Sequence, residues 1–202
     1  MAKIVGFLGK KGSGKDTSGT YLIENYGYIR YAFGDPVKEV CRHMFNLKED
    51  QLTGINKEIV DPRWNMKPRE MFQYIGTEFG QFEIHKIIPK INEQVKFRSL
   101  WCKLFEQWLE EHKKDKIVIT DVRFNHEIDC ILKHGGEIFK IENPNNESND
   151  NHLSEIEMNI NINSSSNSSS NSINNNNIKT IMNDTELVDL YSQLDLIGIV
   201  PF

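Results

Sequence analysis

Cysteine is scarce in this chain. Cys41, Cys102 and Cys130 are too few and too scattered for a disulfide framework or a zinc site. A reducing, intracellular compartment is the simplest expectation. Long apolar runs are absent too: no stretch approaches the roughly 20 residues that a membrane span needs. The opening MAKIVGFLGKKGSGK turns polar too soon for a secretory signal. A basic excess is also missing. Only 24 lysines and arginines stand against 29 aspartates and glutamates, a formal net charge of -5. That balance argues against a partner of polymeric nucleic acid, whose binding needs a dense basic field, but it leaves room for a small anionic ligand held locally. The six histidines show no ligand spacing, and no Ser/His/Asp or Cys/His arrangement is legible. What is left is a soluble, cytoplasmic chain of 202 residues, long enough to bury a core and of a length for one domain.

Residues 143–177 differ from the rest. They are dominated by asparagine and serine, as in NSSSNSSSNSINNNN, and offer little to bury against the entropy of ordering. They read as a low-complexity insertion within a single domain spanning 1–202. Outside them, strand-like and helix-like runs alternate. Strands are expected at 3–8 (KIVGFL), 28–33 (YIRYAF), 116–120 (KIVIT), 137–141 (EIFKI) and 178–182. Helices are expected at 15–24 and at 36–45, where Asp35 is a cap, Pro36 the first helical residue and Val37, Val40, Cys41, Met44 and Phe45 one buried stripe. Further helices are expected after Pro68, over 82–95, at 99–113, at 125–134 and from a cap at Asp184 to Leu194. Segment 49–64 reads as a loop or short helices. This alternation predicts an α/β fold, a parallel sheet covered on both faces, with ligands beyond the carboxyl ends of its strands.

Three residue sets carry chemistry. Gly9-Lys10-Lys11-Gly12-Ser13-Gly14-Lys15-Asp16-Thr17 follows the first strand and opens the first helix. Glycines let the backbone N–H groups turn toward phosphate oxygens, the helix N-terminus adds partial positive charge, and Lys15 can reach the terminal phosphates. The residue after the lysine of such a loop is usually Ser or Thr, whose hydroxyl holds magnesium; here it is Asp16, with Thr17 next. Either Asp16 binds the cation or orients the acceptor, or Thr17 approaches the donor nucleotide. The second set, ITDVRF, puts Asp121 at a strand end, where a second cation-orienting carboxylate belongs, unless it only caps the next helix. Arg123 offers a bidentate fork for phosphate. The third set holds Asp35 of DPVK, at the sheet's upper edge, with Lys38 of DPVK and Arg69 of KPRE, whose cations suit a moving phosphoryl group or else are solvated charges.

Together GKKGSGKDT, FGDPVKE, REMFQYIGTEFG, ITDVRFNHE, HLSE and the terminal NDTELVDL resemble the deoxynucleoside monophosphate kinases of bacteriophages and large DNA viruses. The resemblance spans most of the chain outside the insertion. It implies a three-layer P-loop NTPase fold of the nucleoside monophosphate kinase type, with a parallel core sheet of about five strands. It implies transfer of a phosphoryl group from ATP, with Mg2+, to a deoxynucleoside 5′-monophosphate, in the host cytoplasm or a viral factory. Gly12, Ser13, Gly14, Lys15, Asp16 and Thr17 would hold ATP, and Asp16, Thr17 and Asp121 are the magnesium candidates. Lys15, Asp16, Asp121 and Arg123 would carry catalysis. Lys10, Asp35, Lys38, Arg69, Arg123, Glu127 and, in HLSE, Glu155 would meet the acceptor. No nucleophilic side chain is needed, because the acceptor phosphate attacks directly. Another small-molecule kinase, such as a phosphomevalonate kinase, and a non-catalytic nucleotide-binding regulator share the donor loop, and homodimerisation stays open.

Overall fold

The computed structural model describes residues 2–145 and 178–199. In chain order they form β1 (Lys3–Leu8), α1 (Lys15–Tyr26), β2 (Ile29–Tyr31), α2 (Gly34–Met44), two short 3-10 turns (Glu49–Gln51 and Asn56–Glu58) and α3 (Pro68–Gln73). A π-helix (Tyr74–Glu83), α4 (Ile84–Ile87) and a 3-10 turn (Pro89–Glu93) follow, then α5 (Leu100–Glu111), β3 (Lys116–Val122), α6 (Asn125–Lys133), β4 (Glu137–Glu142), β5 (Ile178–Met182) and α7 (Leu187–Ile199). The chain divides into two units, one made of residues up to Ala32 and from Gln107 on, the other of Phe33–Glu106.

The first unit is built on a five-stranded sheet in the order β2-β3-β1-β4-β5. Every pairing is parallel. Parallel strands need covered crossovers, so their sequences are apolar on both faces, as KIVGFL and KIVIT are. On one face Val5, Phe7, Val118, Phe139, Ile141 and Ile181 pack with Leu22 of α1 and with Leu190, Leu194 and Ile197 of α7. On the other, Gly6 lies under Ile131 of α6 and Ile138: a Cβ there would sit 3.0 and 2.8 Å from their Cδ1 atoms. Helices on both faces of a parallel sheet give the three-layer architecture. Leu22 is wholly buried at the centre of this packing. Leu22→Ala is expected to cost about 3 kcal/mol in urea denaturation, from lost transfer energy plus the cavity left behind. A cost below ~1 kcal/mol would show that this core collapses around the gap.

Two sequence expectations are corrected in this unit. The second strand is shorter than YIRYAF, ending at Tyr31. Asp184 does not cap the last helix. The N–H of Asn183 still pairs with the Glu142 carbonyl (2.8 Å), so the chain leaves the sheet only after it. α7 therefore begins at Leu187, and it runs past Leu194 to Ile199, with Ile197 continuing the buried stripe.

In the second unit α2 begins at Gly34, with Phe33 at its cap position, so Asp35 lies in the first turn rather than capping it. Val37 and Cys41 are buried, but Val40 and Met44 are 39% and 56% exposed, a narrower stripe than its sequence predicts. Gly76 and Gly80 do not end the helix opened by Pro68. The chain continues through them as a π-helix, with Val37 against Gly76 and the indole of Trp101 in the space that a side chain at Gly80 would take. The Trp101 Nε1–H donates to the Gly76 carbonyl (2.7 Å), and a Cβ on Gly80 would lie 2.5 Å from Cζ2. The loop before α3 is tied by Asp61, which is buried and accepts from Gln51 Nε2 and from the Arg63 guanidinium. Those bonds hold its carboxyl well below the usual range.

Cys41, Cys102 and Cys130 are buried and form no disulfide. Among the described residues no helix is long and apolar enough to cross a membrane.

Candidate active site

The phosphate-loop motif lies between β1 and α1, at the carboxyl edge of the sheet. Gly14 stands at the cap position of α1 with φ 110°, a left-handed value that a side chain rarely adopts, and a Cβ there would lie 2.6 Å from Asn183 Nδ2. The loop closes on itself through Ser13 N–H to the Lys10 carbonyl (3.1 Å), and α1 starts with Ser18 N–H to the Gly14 carbonyl (2.9 Å). Lys15 folds back over the loop. Its ammonium donates to the carbonyls of Gly9 (2.5 Å) and Lys10 (2.6 Å). Lys10, Lys11 and Thr17's neighbour Asp16 reach solvent, whereas Ser13 is buried. A glycine-rich loop at a helix N-terminus with an ammonium held over it favours an anion.

Asp121 is not a helix cap. β3 runs through it to Val122, and Phe124 takes the cap position of α6. β1 pairs Gly6 with Ile119 but Leu8 with Val122, so two steps along β1 match three along β3. The extra residue is a bulge around Thr120 and Asp121, beside the end of β1 where the loop begins. Bulges re-aim side chains and gather next to active sites. α1 presses close here: a Cβ on Gly19 would sit 2.4 Å from Thr120 Cγ2.

Glu127 braces the turn that carries Arg123. It is 4% exposed, and its Oε2 accepts from the backbone N–H of Arg123 (2.8 Å) and of Phe124 (3.1 Å). This satisfies two donors at the start of α6. Burial first, and the nearby Asp121 charge second, push the Glu127 carboxyl up to about 8, against the opposing pull of those two N–H groups and of Arg123. The contacts that the structure gives the Glu127 carboxylate are thus with the backbone of Arg123 and Phe124.

The first unit thus gathers Lys10, the loop from Gly12 to Thr17, Asp121, Arg123 and Glu127 at one sheet edge. The second unit holds the other three. Lys38 Nζ pairs with Asp35 Oδ1 (3.0 Å) one turn away on α2. Arg69, the residue after Pro68 in α3, pairs with Glu58 (3.5 Å). Glu70 accepts the Lys67 N–H (2.7 Å), which fixes the start of that helix. Glu155 lies outside the described residues, as do residues 146–177 of the insertion. Sequence reasoning misses the contact of Asn183 with the loop, whose Ser13 carbonyl accepts from its Nδ2 (2.8 Å). Asn183 stands in the terminal NDTELVDL, but nothing in that segment announces a contact with a loop 170 residues earlier.

The chain matches the family model described as deoxynucleotide monophosphate kinase over residues 3–61 and 50–194. A relative from Acanthamoeba polyphaga mimivirus, a putative deoxynucleotide monophosphate kinase, is 37% identical over 161 residues, 77% of this chain and 81% of its own length. The chain belongs to the deoxynucleotide monophosphate kinase family. A deoxynucleotide monophosphate kinase from Enterobacteria phage T4 is 23% identical over 208 residues, 76% of this chain and 86% of its own. Among solved structures, a dephospho-CoA kinase from Campylobacter jejuni is 15% identical, covering 98% of this chain and 96% of its own at a TM-score of 0.46. A member of this kinase family is a phosphotransferase, and the family implies ATP as its phosphoryl donor.

Proposed function

We propose that this chain transfers the γ-phosphoryl group of ATP to the 5′-phosphate of a deoxynucleoside monophosphate, giving the diphosphate and ADP. The observation that carries the reading is the Lys15 ammonium held over the glycine-rich loop at the start of α1. Gly12 to Thr17 hold the donor phosphates, and Lys15 exchanges its two carbonyl partners for phosphate oxygens. An acceptor phosphate oxygen bonds to the γ-phosphorus as the bond to the bridging oxygen of ADP breaks. Catalysis by this chain is positioning and charge compensation.

Asp16, Thr17 and Asp121 offer carboxylate and hydroxyl oxygens, the donor type that suits Mg2+. The bulge at Thr120 and Asp121, next to the end of β1, supports a part for Asp121 in holding the cation. Mg2+ would supply neutralisation of charge on the transferring group. Arg123, whose backbone N–H is held by Glu127, supplies the guanidinium that clamps a phosphate in this reading, and Lys10, Lys38 and Arg69, with Asp35 and Glu155, are the residues for the acceptor. A reducing, cytoplasmic compartment belongs to the same proposal, argued from three scattered cysteines.

The test is ADP release from ATP and Mg2+ with each deoxynucleoside and ribonucleoside monophosphate as acceptor, and with phosphomevalonate. Acceptor-dependent turnover confined to deoxynucleotides is expected. Turnover with phosphomevalonate alone, or tight ATP binding with no turnover on any acceptor, would overturn the reading.

A further inference from the structure

The backbone that follows β5 is wired to the phosphate loop through one side chain. Asn183 Nδ2 donates to the Ser13 carbonyl at 2.8 Å, across 170 positions of sequence. Asn183 itself is held from two sides. Its N–H bonds the Glu142 carbonyl at the end of β4 (2.8 Å). The preceding residue, Met182, has both backbone groups taken by Gln193 of α7: its N–H by Oε1 (3.1 Å) and its carbonyl by Nε2 (2.9 Å). The carboxamide is thus presented by the sheet and by α7 rather than by a mobile arm.

The consequence follows from peptide geometry. In a trans peptide the carbonyl of one residue and the N–H of the next point in opposite directions, and the described chain has no cis peptide. Holding the Ser13 carbonyl toward Asn183 aims the Gly14 N–H the other way. Gly14 is the cap residue of α1, so its amide is among those that face an anion at the helix start. The close approach also explains the glycine, since a side chain at 14 would occupy the place of the carboxamide. The carboxamide nitrogen, not its oxygen, must face Ser13, because a carbonyl can only accept.

We infer that Asn183 is a positioning residue for the donor nucleotide: it presets the Ser13–Gly14 peptide plane of the phosphate loop, and so sets ATP affinity without touching the acceptor. This rests on the proposed reading of Gly9–Thr17 as the donor site. Gln193 acts one step further back, through Met182.

Three variants test it: Asn183→Ala, the isosteric Asn183→Asp, and Lys15→Ala as the control for the donor site. The readouts are ATP affinity by calorimetry without acceptor, KM for each substrate, and the thermal midpoint. Asn183→Ala is expected to weaken ATP binding and raise its KM about tenfold, the loss of one positioning hydrogen bond. The acceptor KM should stay within about twofold. Asn183→Asp keeps the shape but turns an acceptor toward the Ser13 carbonyl, so its loss should be larger than that of alanine. Unchanged ATP affinity in both variants, or equal rises in both KM values together with a lowered thermal midpoint, would overturn the inference and leave a purely structural contact. If Lys15→Ala binds ATP as well as the parent chain does, the donor-site reading itself fails.

Discussion

Replacing Lys15 with alanine will lower kcat/KM by about 10³-fold or more and leave the thermal midpoint nearly unchanged. The size follows from where the charge sits. The Lys15 ammonium lies over the two carbonyls that open the loop, Gly9 and Lys10, at the N-terminus of α1. A phosphoryl group in flight spreads negative charge over its oxygens, and a fixed cation in that position stabilises the transition state more than the ground state. The stability cost is small for a local reason. The carbonyls released by the substitution belong to a loop whose lysines, Lys10 and Lys11, are exposed, so water can take the place of the ammonium. Lys15→Arg should not restore the rate, because a planar fork does not fit where a compact ammonium bridges two adjacent carbonyls. Steady-state ADP release and a thermal melt check both halves. Activity within about tenfold of the parent chain would remove Lys15 from the transition state.

Glu127→Gln is expected to flatten the dependence of stability on pH and to raise the thermal midpoint by roughly 5 °C at about pH 8, with little change near pH 5. In the folded chain this carboxyl keeps its proton up to about 8, whereas an unfolded glutamic acid releases it near 4.5. The folded state therefore binds the proton more tightly. The stabilisation is complete below about pH 4.5, and it is lost as pH rises toward 8 and a buried charge must form. Glutamine mimics the protonated acid. Its oxygen can still accept the N–H groups of Arg123 and Phe124, and no charge forms at any pH. Melts of both proteins from about pH 5 to 8.5, without nucleotide or magnesium, should diverge progressively as the pH rises. Parallel curves would mean that the carboxylate is solvated or compensated in the folded chain. The effect is large because the brace combines burial with the neighbouring Asp121 charge, and both oppose ionisation.

Much of the site is legible in the sequence because it is local. A strand, a glycine loop and a helix start are adjacent along the chain, so KIVGFLGKKGSGKDT carries its own geometry, and α1 begins at Lys15 as its spacing predicts. The same holds for KPRE, where Pro68 opens α3 and Glu70 closes on Lys67. The alternation of strands and helices is legible for a similar reason, since period and turn residues are properties of short segments.

What does not show is whatever depends on a distant partner. The bulge at Thr120 and Asp121 exists only because β1 supplies the register against which β3 has one residue too many. The helix that continues through Gly76 and Gly80 packs against Val37 at the first glycine and the indole of Trp101 at the second, neighbours more than 20 positions away. The late start of α7 needs the Glu142 carbonyl to hold Asn183 in the sheet. The sequence by itself determined the element types and the glycine-rich loop between β1 and α1, because local sterics and periodicity act within a few residues. Only the tertiary structure decided the strand order, the bulge beside Asp121, the burial of Glu127 and the tie between Asn183 and Ser13, because pairing, desolvation and hydrogen bonding are set by neighbours in space.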